Sequence, residues 1–429
     1  MFDDVKHAHL VGAGGIGISA VGKWLLSQGV VVSGSDAVQS SITDDLAKCG
    51  AAIVIGHDAA NIPRDCDLVV YTEAAGEENV ERIEASRRGI RQLGHFGFLG
   101  ELSKGMRTIC ITGTHGKSTT TAMTGKIFEA SGLDPTVFVG SLVPGWELGN
   151  LRVGKSDILI IEGDEYKRKM LQLHPETTLI TNIELDHADI YKDLDDVIAA
   201  FQQLVDKTTG MTFVNADDVN SQHLLGERVA LYSRSDVRGS VGVPGDFNRA
   251  NAAAARVATQ AYGIADDIIA KSLAAFSGIW RRFERVGVLK WGQVWNRESA
   301  EVISDYAHHP TAIKATLAAA KEFFPGRRIV LCFQPHQHNR TKELFDDFVT
   351  AFGDADVLVL AEIYGVKGRT EDNAISSSDL LRALHRDNVT YAKTLNDAET
   401  QLRGVVKDGD VIIVMGAGDI DDVARRLVD

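Results

Sequence analysis

The sequence predicts an α/β fold of three consecutive segments, in each of which helices cover a parallel sheet. Apolar runs of strand length alternate throughout with helical patterns of about 10–15 residues, which is typical of parallel sheets. Each segment opens with a strand that runs into a turn, and 429 residues are too many for one ordinary core. We therefore predict domains over 1–106, 107–281 and 282–429.

The first segment opens with a strand, a glycine-rich turn and a helix. We predict a strand over 8–11, a helix over 18–28 and further strands over 30–36 and 68–71. The turn between the first strand and the helix covers 12–17 and matches the pattern G-x-G-x-x-G.

This turn brings Gly12, Gly14 and Gly17 to the start of a helix, and Asp36 follows nineteen residues after Gly17. Taken alone, the pattern predicts NAD binding, with Asp36 on a ribose hydroxyl. Physically it indicates only that a diphosphate can lie on the helix N-terminus, whichever nucleotide carries it. A structural role, in which the glycines only allow the helix to pack closely on the strand, stays open.

A second glycine turn opens the central segment, after an apolar strand over 108–111. Its residues are Gly113, Thr114, His115, Gly116, Lys117, Ser118 and Thr119. Backbone N–H groups at the following helix N-terminus can face phosphate oxygens, Lys117 supplies a positive charge, and the Ser118 hydroxyl can ligate Mg²⁺. Because Ile111 stands where the general P-loop has its first glycine, we interpret this turn as a shortened phosphate-binding loop.

Acidic residues follow two later strands of the central segment. The predicted elements are strands over 157–161, 178–182 and 211–214 and helices over 194–205, 247–262 and 265–276. Because parallel strands share their C-terminal edge, the acids after the first two strands can converge on the nucleotide held by the loop. Glu162 is our first choice as a Mg²⁺ ligand, and His187 is a candidate for a second metal site. For Asp164, Asp186 and Asp189, helix capping and function stay equally open.

The third segment carries two polar clusters at strand-to-helix junctions, over 304–310 and 333–341. We predict strands over 329–333, 357–360 and 411–415 and helices over 310–322, 342–352 and 420–427. The four histidines of the clusters suggest zinc, but no cysteine or carboxylate lies at matching spacing. We prefer polar donors aimed at a carboxylate or a ribose, with Arg340 as the carboxylate-binding fork.

The composition excludes several classes of protein. Apolar residues make up 44% and charged residues 24%, as in a folded globular protein. No window approaches 18 uninterrupted apolar residues, the acidic start resembles no signal peptide, and the four cysteines are widely spaced. The net charge of −14 argues against nucleic-acid and anionic-membrane partners. We expect a cytoplasmic protein that acts on small molecules.

The motifs occur in the order seen in the Mur ligases, which this chain resembles over essentially its whole length. The residues that carry the resemblance lie at 12–17, 113–119, 182–187, 305–310, 334–336 and 415–419. The resemblance implies a Rossmann-like N-terminal domain, a central P-loop ATPase domain and a Rossmann-like C-terminal domain. It also implies that the first turn, with Asp36, holds a UDP diphosphate rather than NAD, through Gly12, Gly14, Gly15, Ile16 and Gly17.

The same resemblance implies the roles of further residues. The second turn, 113–119, would hold the phosphates of ATP, and Ser118, Glu162 and His187 would complete the Mg²⁺ sites. Asn182 would lie near the adenine, Asn248 would contact the nucleotide, and Asp305 would bind the ribose. His309 and Arg340 would surround the incoming amino acid.

The match is best to the branch of the family that adds L-alanine to the lactyl carboxylate of UDP-N-acetylmuramate. It implies that ATP converts the carboxylate to an acyl phosphate, in the synthesis of peptidoglycan precursors. The branch that attaches a recycled tripeptide is an alternative, and an NAD-dependent oxidoreductase and a non-catalytic nucleotide-sugar sensor are alternatives of other classes. We expect a monomer or homodimer, with hinges near Gly105 and Ser277–Gly278.

Two departures from the family pattern accompany this match. Gln337 stands where the alanine-adding members usually have an arginine. The run 166–170 is basic, whereas the family has small, acidic and apolar residues there.

Overall fold

The structure is a computed structural model that describes residues 2–187, 189–289, 300–365 and 375–428. Contacts divide the chain into two compact units. The first unit comprises 1–241 and 249–276, and the second comprises 242–248 and 277–429. The division after residue 276 coincides with the hinge predicted at Ser277–Gly278, whereas none falls at Gly105.

The first sheet of the first unit contains, in its described part, five parallel strands in the order β3-β2-β1-β4-β5. The prediction for this segment included β1, α1, β2 and β4 but not the short edge strands. The elements are β1 His7–Val11, α1 Ile16–Ser27, β2 Val31–Asp36, α2 Ser41–Lys48, β3 Ala52–Ile55, β4 Leu68–Tyr71, α3 Val80–Arg87, β5 Arg91–Gly94 and α4 His95–Ser103.

The second sheet of the first unit has the strand order β12-β11-β10-β6-β9-β7-β8 over the residues described. Its pairs are parallel except for β7 with β8. The elements are β6 Arg107–Thr112, α5 Lys117–Ala130, β7 Thr136–Phe138, β8 Leu151–Arg152, β9 Ile158–Glu162, β10 Thr177–Ile180, α6 Leu194–Lys207, β11 Thr212–Asn215, β12 Val229–Tyr232, α7 Asp246–Ala261 and α8 Asp266–Ala274. Residues 246–248, at the start of α7, belong to the second unit.

The two sheets of the first unit share one hydrophobic core and are joined by buried polar contacts. Lys23 on α1 is 2% exposed, and its Nζ donates to the Leu148 carbonyl at 2.8 Å and to Asn150 Oδ1 at 3.1 Å. The Asn150 amide in turn donates to the Ile16 carbonyl at 2.6 Å. The first glycine turn is therefore attached to the segment that carries the second.

The sheet of the second unit has the order β13-β14-β18-β15-β16-β17 within the described ranges, and only β13 pairs antiparallel there. The elements are β13 Glu284–Leu289, β14 Ala300–Asp305, α9 Pro310–Phe323, β15 Ile329–Phe333, α10 His338–Glu343, α11 Phe345–Val349, β16 Val357–Ala361, α12 Ser377–Ala383, β17 Val389–Ala392, α13 Leu395–Val405, β18 Val411–Met415 and α14 Asp421–Val428.

One predicted helix of the second unit, over 342–352, is wrong. The segment forms two short helices, α10 and α11, because Leu344 leaves the helical region at φ −104° and ψ 23°. Among the described residues no helix is long and apolar enough to cross a bilayer.

Candidate active site

The first glycine turn presents an open helix N-terminus to a ligand. Gly12 has φ +83°, and a Cβ there would lie 2.3 Å from Thr72 Cγ2, so a side chain is excluded. Gly14 donates its N–H to Asp36 Oδ2 at 2.8 Å, which fixes the turn to the end of β2. Gly15 precedes α1, and no side chain caps the helix. The exposed N–H groups of α1 therefore suit a diphosphate.

His95 lies against this turn. A Cβ on Gly17 would lie 2.3 Å from His95 Cε1, so the imidazole occupies the space that a side chain at 17 would need. His95 is the first residue of α4 and directly follows strand β5, which pairs in parallel with β4. No local sequence pattern marks His95, which lies 78 positions after Gly17.

The second glycine turn is equally tight. Gly113 has φ +133°, and a Cβ there would lie 2.1 Å from Thr181 Oγ1. Gly116 has φ +82°, and a Cβ there would lie 2.2 Å from Asn251 Oδ1. As at the first turn, no side chain caps the following helix, α5. The chain thus has a second open helix N-terminus for phosphate oxygens.

The strand end after β10 holds this loop in place. The Asn182 side chain accepts from the His115 N–H at 2.9 Å and donates to the His115 carbonyl at 3.0 Å. Thr181 Oγ1 donates to the same carbonyl at 2.6 Å, and Thr114 Oγ1 accepts from the Glu184 N–H at 2.9 Å. In this structure Asn182 positions the phosphate loop, and its predicted contact with adenine stays a prediction.

Lys117, the cation of the loop, is ion-paired with Glu165. Its Nζ lies 2.8 Å from Glu165 Oε2 and donates to the carbonyls of Gly113 at 2.6 Å and Thr114 at 2.9 Å. Burial favours the neutral amine, but Glu165, Asp164 and Glu162 outweigh burial and raise the pKa of Lys117. The lysine is therefore a permanent positive charge at the loop.

Ser118 and Glu162 place two oxygen atoms that could ligate a metal ion next to Lys117. Ser118 Oγ donates to Glu162 Oε1 at 2.8 Å, and Glu162 Oε2 accepts from the Gly140 N–H at 2.7 Å. Among the described residues, no three His, Cys, Asp or Glu side chains form a ready-made metal centre. A hydroxyl and a carboxylate fit Mg²⁺ at a nucleotide site, since phosphates and waters there supply the other oxygens.

His187 contacts Glu165, the carboxylate that pairs with Lys117. Its Nε2 lies 3.7 Å from Glu165 Oε1, and its backbone has φ +61°. Burial disfavours the charged imidazole, yet Glu165 and Asp186 outweigh burial and raise the pKa of His187. The structure thus brings Lys117, Ser118, Glu162 and His187 together around the second turn.

Glu165 and Asn251 are the members of this site that the sequence analysis did not assign. Glu165 is 4% exposed and lies between Lys117 and His187. Asn251 is 6% exposed and lies against Gly116, whereas Asn248 donates to the Pro244 carbonyl at 2.7 Å and belongs to the second unit. The acidic run 162–165 and the asparagine three residues after Asn248 were the signals available.

In the second unit, Asp305 ends β14 as a buried carboxylate. Its two oxygens accept from the N–H groups of Phe283 and Ala307, both at 2.8 Å. Burial raises the pKa of Asp305, against the lowering effect of Arg282 and these hydrogen bonds. In this structure the side chain ties β14 to its neighbours, and its contact with a ribose stays a prediction.

His308 shares the surroundings of Arg340. His309 caps α9 by accepting from the Thr311 N–H at 3.3 Å. Burial lowers the pKa of His308 to about 3, with the charge of Arg340 as the next cause. The ring centroids of His308 and His336 are 5.9 Å apart. A neutral imidazole and a guanidinium suit a carboxylate ligand, so we add His308 to His309 and Arg340 as candidates.

Gln337, the departure noted in the sequence, has an unusual backbone. It has φ +71° directly before α10, and its N–H donates to the Tyr364 carbonyl at 2.9 Å. Tyr364 in turn stacks on His336, with ring centroids 5.6 Å apart. The residue at 337 therefore shapes the turn that leads to Arg340.

Two uncapped glycine turns, a charged lysine and converging oxygen donors define the class of protein as an enzyme that acts on nucleotide phosphates. Comparisons with known proteins give its family. The model of the Mur ligase family catalytic domain matches residues 7–107, that of the Mur ligase middle domain matches 111–237, and that of the Mur ligase glutamate ligase domain matches 281–418.

Full-length relatives agree with these matches. The chain is 37% identical to UDP-N-acetylmuramate–L-alanine ligase of Clostridium novyi, over 100% of this chain and 98% of the relative. It is 36% identical to the ligase of that name from Burkholderia ambifaria, over 99% and 98% of the two chains. The chain belongs to the Mur ligase family and is an ATP-dependent ligase.

Solved structures carry the same fold. The UDP-N-acetylmuramate-alanine ligase of Thermotoga maritima is similar with a TM-score of 0.83, 29% identity and 98% of each chain covered. A murein peptide ligase from Psychrobacter arcticus has a TM-score of 0.69 at 24% identity, with 98% of each chain covered, and shows the fold alone. The predicted three-domain α/β fold is confirmed. Family membership also excludes the oxidoreductase interpretation, because the matched region 7–107 includes the first glycine turn.

Proposed function

We propose that this chain joins L-alanine to the lactyl carboxylate of UDP-N-acetylmuramate, in the synthesis of peptidoglycan precursors. The full-length similarity to ligases of that name supports the choice of substrates. The observation that carries the chemistry is the convergence of Lys117, Ser118, Glu162 and His187 on one phosphate loop.

The first turn would hold the UDP diphosphate and the second turn the phosphates of ATP. A carboxylate oxygen of the sugar attacks the γ-phosphorus, and the bond to ADP breaks with its electron pair on ADP. Lys117, whose pKa is raised by the acidic side chains around it, would stabilise the negative charge that builds up during this transfer.

The resulting acyl phosphate then reacts with the amine of L-alanine. The nitrogen attacks the carbonyl carbon, and the tetrahedral intermediate releases phosphate as the amide forms and the amine loses a proton. We propose that His309 and Arg340, with His308, bind the amino acid, and that Asp305, Asn182 and Asn248 contact ATP.

Mg²⁺, when bound, would neutralise charge on the phosphates and their leaving group. Ser118 and Glu162 are the residues that we propose would hold it, since both present oxygen atoms at the end of the loop. We propose His187 as a ligand of a second ion. Its ring nitrogen faces Glu165, so imidazole and carboxylate offer a mixed donor set there.

The domain roles follow from this assignment. We propose residues 1–106 for the UDP-sugar, 107–281 for ATP and 282–429 for the amino acid. We further propose a cytoplasmic enzyme, monomeric or homodimeric, that needs no nucleic-acid or membrane partner. Its four cysteines are free, as expected in a reducing compartment.

The decisive experiment measures phosphate release from ATP with UDP-N-acetylmuramate and each amine in parallel. The proposal expects turnover with L-alanine and a much lower kcat/KM with the tripeptide L-alanyl-γ-D-glutamyl-meso-diaminopimelate. A preference for the tripeptide would move the chain to the recycling branch. Tight binding of UDP-N-acetylmuramate and ATP without phosphate release for any amine would identify a sensor instead.

A further inference from the structure

The basic run 166–170 has no role in the function described so far. Within it, Lys167 has φ +53° and Arg168 has φ +55°. Each left-handed residue costs about 1 kcal/mol or more, and such strain persists only where the surroundings enforce it. The neighbouring basic side chains end on different partners, Arg168 on Asp196 of α6 and Lys169 on Asp164.

Lys169 lies between the two glycine turns of the first unit. Its Nζ is 2.8 Å from Asp164 Oδ2, two residues beyond the proposed Mg²⁺ ligand Glu162. The same Nζ is 5.9 Å from the ring centroid of Phe96. Phe96 follows His95, whose imidazole packs against Gly17 of the first turn. A single ammonium group is thus close to the surroundings of both turns.

The electrostatic effect of Lys169 on His95 also indicates that Lys169 is close to the first turn. Burial lowers the pKa of His95 to about 4, and the charge of Lys169 adds to that effect. Lys169 is therefore near both Asp164 and His95.

A positive charge at this place answers a specific need of the reaction. The sugar carboxylate has to approach the γ-phosphate although both groups are anions. Lys117 belongs to the phosphate loop and lies on the ATP side of this encounter. Lys169 approaches Phe96, next to the His95 that packs on the first turn, and its side chain is 14% exposed, so its ammonium is shielded but reachable.

We propose that Lys169 binds the lactyl carboxylate of the UDP-sugar and holds it toward the γ-phosphate. This inference rests on the proposed function and adds a substrate-binding residue to it. On binding, the ammonium exchanges Asp164 for the substrate carboxylate or is shared between them. Lys169 forms no bond in the transfer, and the electron pair of the broken bond leaves on ADP.

The competing explanation is that the pair of Lys169 and Asp164 only stabilises the strained segment. Binding of two UDP-sugars separates the explanations, because UDP-N-acetylglucosamine lacks the lactyl carboxylate. We would measure both affinities by isothermal titration calorimetry for the wild type, K169M and K169R. Arg168→Met is the matched control, since it removes an adjacent cation that pairs with α6.

The expected result is that K169M weakens binding of UDP-N-acetylmuramate at least 10-fold and leaves UDP-N-acetylglucosamine unchanged. K169R should recover part of the difference, and R168M should bind both sugars as the wild type does. Unchanged UDP-N-acetylglucosamine binding also shows that K169M is folded.

An equal loss for both sugars in K169M, or no loss for either, would overturn the inference, as would the same selectivity change in R168M. Turnover of the wild type with L-alanine tests the proposed function separately. An active wild type whose K169M variant keeps its sugar selectivity would remove the role of Lys169 only. A wild type that does not turn over would remove the proposed function itself.

Discussion

The two glycine turns of the first unit share a backbone plan but differ in the charges placed around them. Each turn lies between a buried strand and an uncapped helix, and each is fixed by a side chain from another strand end. Asp36 accepts the Gly14 N–H at the first turn, and Asn182 accepts the His115 N–H at the second. Only the second adds a lysine, Lys117. The turn geometry suffices to bind a diphosphate, whereas phosphoryl transfer needs the added charge.

The buried glutamates near the two turns make the same distinction. Glu81 is fully buried and accepts hydrogen bonds from Ser35 Oγ and from Asn61 Nδ2 at 2.7 Å. The Ser35 carbonyl accepts the N–H groups of Gly12 and Ala13. Because the Ser35 hydroxyl is bonded to Glu81, that carboxylate supports the first turn through Ser35. Glu165 is nearly as buried but pairs with Lys117. One carboxylate stabilises a fold and the other positions a reactive cation.

The largest effect expected from this comparison is the loss of Lys117. Lys117→Met should lower kcat about 100- to 1000-fold, because the charge that stabilises the transferred phosphoryl group is gone. Phosphate release with saturating L-alanine measures it, and binding of UDP-N-acetylmuramate at the first turn should not change. Lys126→Met is the control, because Lys126 lies on the same helix but pairs with Glu129. Comparable losses in both variants would contradict the assignment.

Removing the carboxylate below the first turn should affect stability in a pH-dependent way. Burial opposes ionisation, but hydrogen bonds from His9, Ser35 and Asn61 lower the pKa of Glu81 to about 2, from an ordinary 4.5. Since the folded-state pKa is the lower one, this stabilisation is complete above pH 4.5. It is lost as the pH falls toward 2, and it amounts to roughly 3 kcal/mol.

Glu81→Gln should therefore lower the thermal midpoint at neutral pH, and the difference from the wild type should shrink between pH 4.5 and 2. Calorimetry over that range measures it. Glu77→Gln, which changes an exposed carboxylate of the same domain, is the control. A constant difference at every pH would show that Glu81 acts through packing rather than charge.

A side chain at the closest point of the first turn should weaken binding of the UDP-sugar only. Gly17→Ala brings a Cβ to 2.3 Å from His95 Cε1, so the turn or the imidazole has to shift. An overpacking cost of about 1–3 kcal/mol corresponds to roughly 5- to 150-fold in KM for UDP-N-acetylmuramate. KM for ATP should stay constant. Gly97→Ala on α4 is the control, since its nearest atom would be 3.6 Å away.

The smallest effect concerns Asp36. Asp36→Asn keeps one acceptor for the Gly14 N–H and removes the charge, so KM for UDP-N-acetylmuramate should rise about three- to ten-fold, the value of one hydrogen bond. Steady-state kinetics with the UDP-sugar varied measures this. A rise in KM of about 100-fold or more, comparable in size to the fall in kcat expected for Lys117→Met, would mean that Asp36 contacts the substrate instead of supporting the turn.

Sequence reasoning predicted what is encoded locally. The unit of β6, the second turn and α5 was predicted because an apolar run, glycines and a helical pattern follow one another within 24 residues, 107–130. The edge strand β3 was not predicted, since Val54 and Ile55 are 48% and 46% exposed and the strand has no consistently buried face. An antiparallel β13 in an otherwise parallel sheet also has no local signal.

The candidate site divides in the same way. Lys117, Ser118 and Glu162 stand in motifs, and the structure brings them together. His95 packs against Gly17, and Glu165 lies between Lys117 and His187. These contacts join residues that are far apart in the sequence, so no spacing rule reveals them. His308 joins His309 as a candidate beside Arg340 only through its contacts, because no sequence pattern marks it next to the histidine that caps α9.

The hydrogen bond from Asn150 to the Ile16 carbonyl, with Lys23 beside it, holds the two glycine turns of the first unit at a fixed distance. Because one shared core sets the separation between the sites proposed for the UDP diphosphate and the γ-phosphate, we expect substrates to be selected by their length. An acid one methylene shorter or longer between its sugar and its carboxylate would bind its nucleotide end normally and yet remain unphosphorylated.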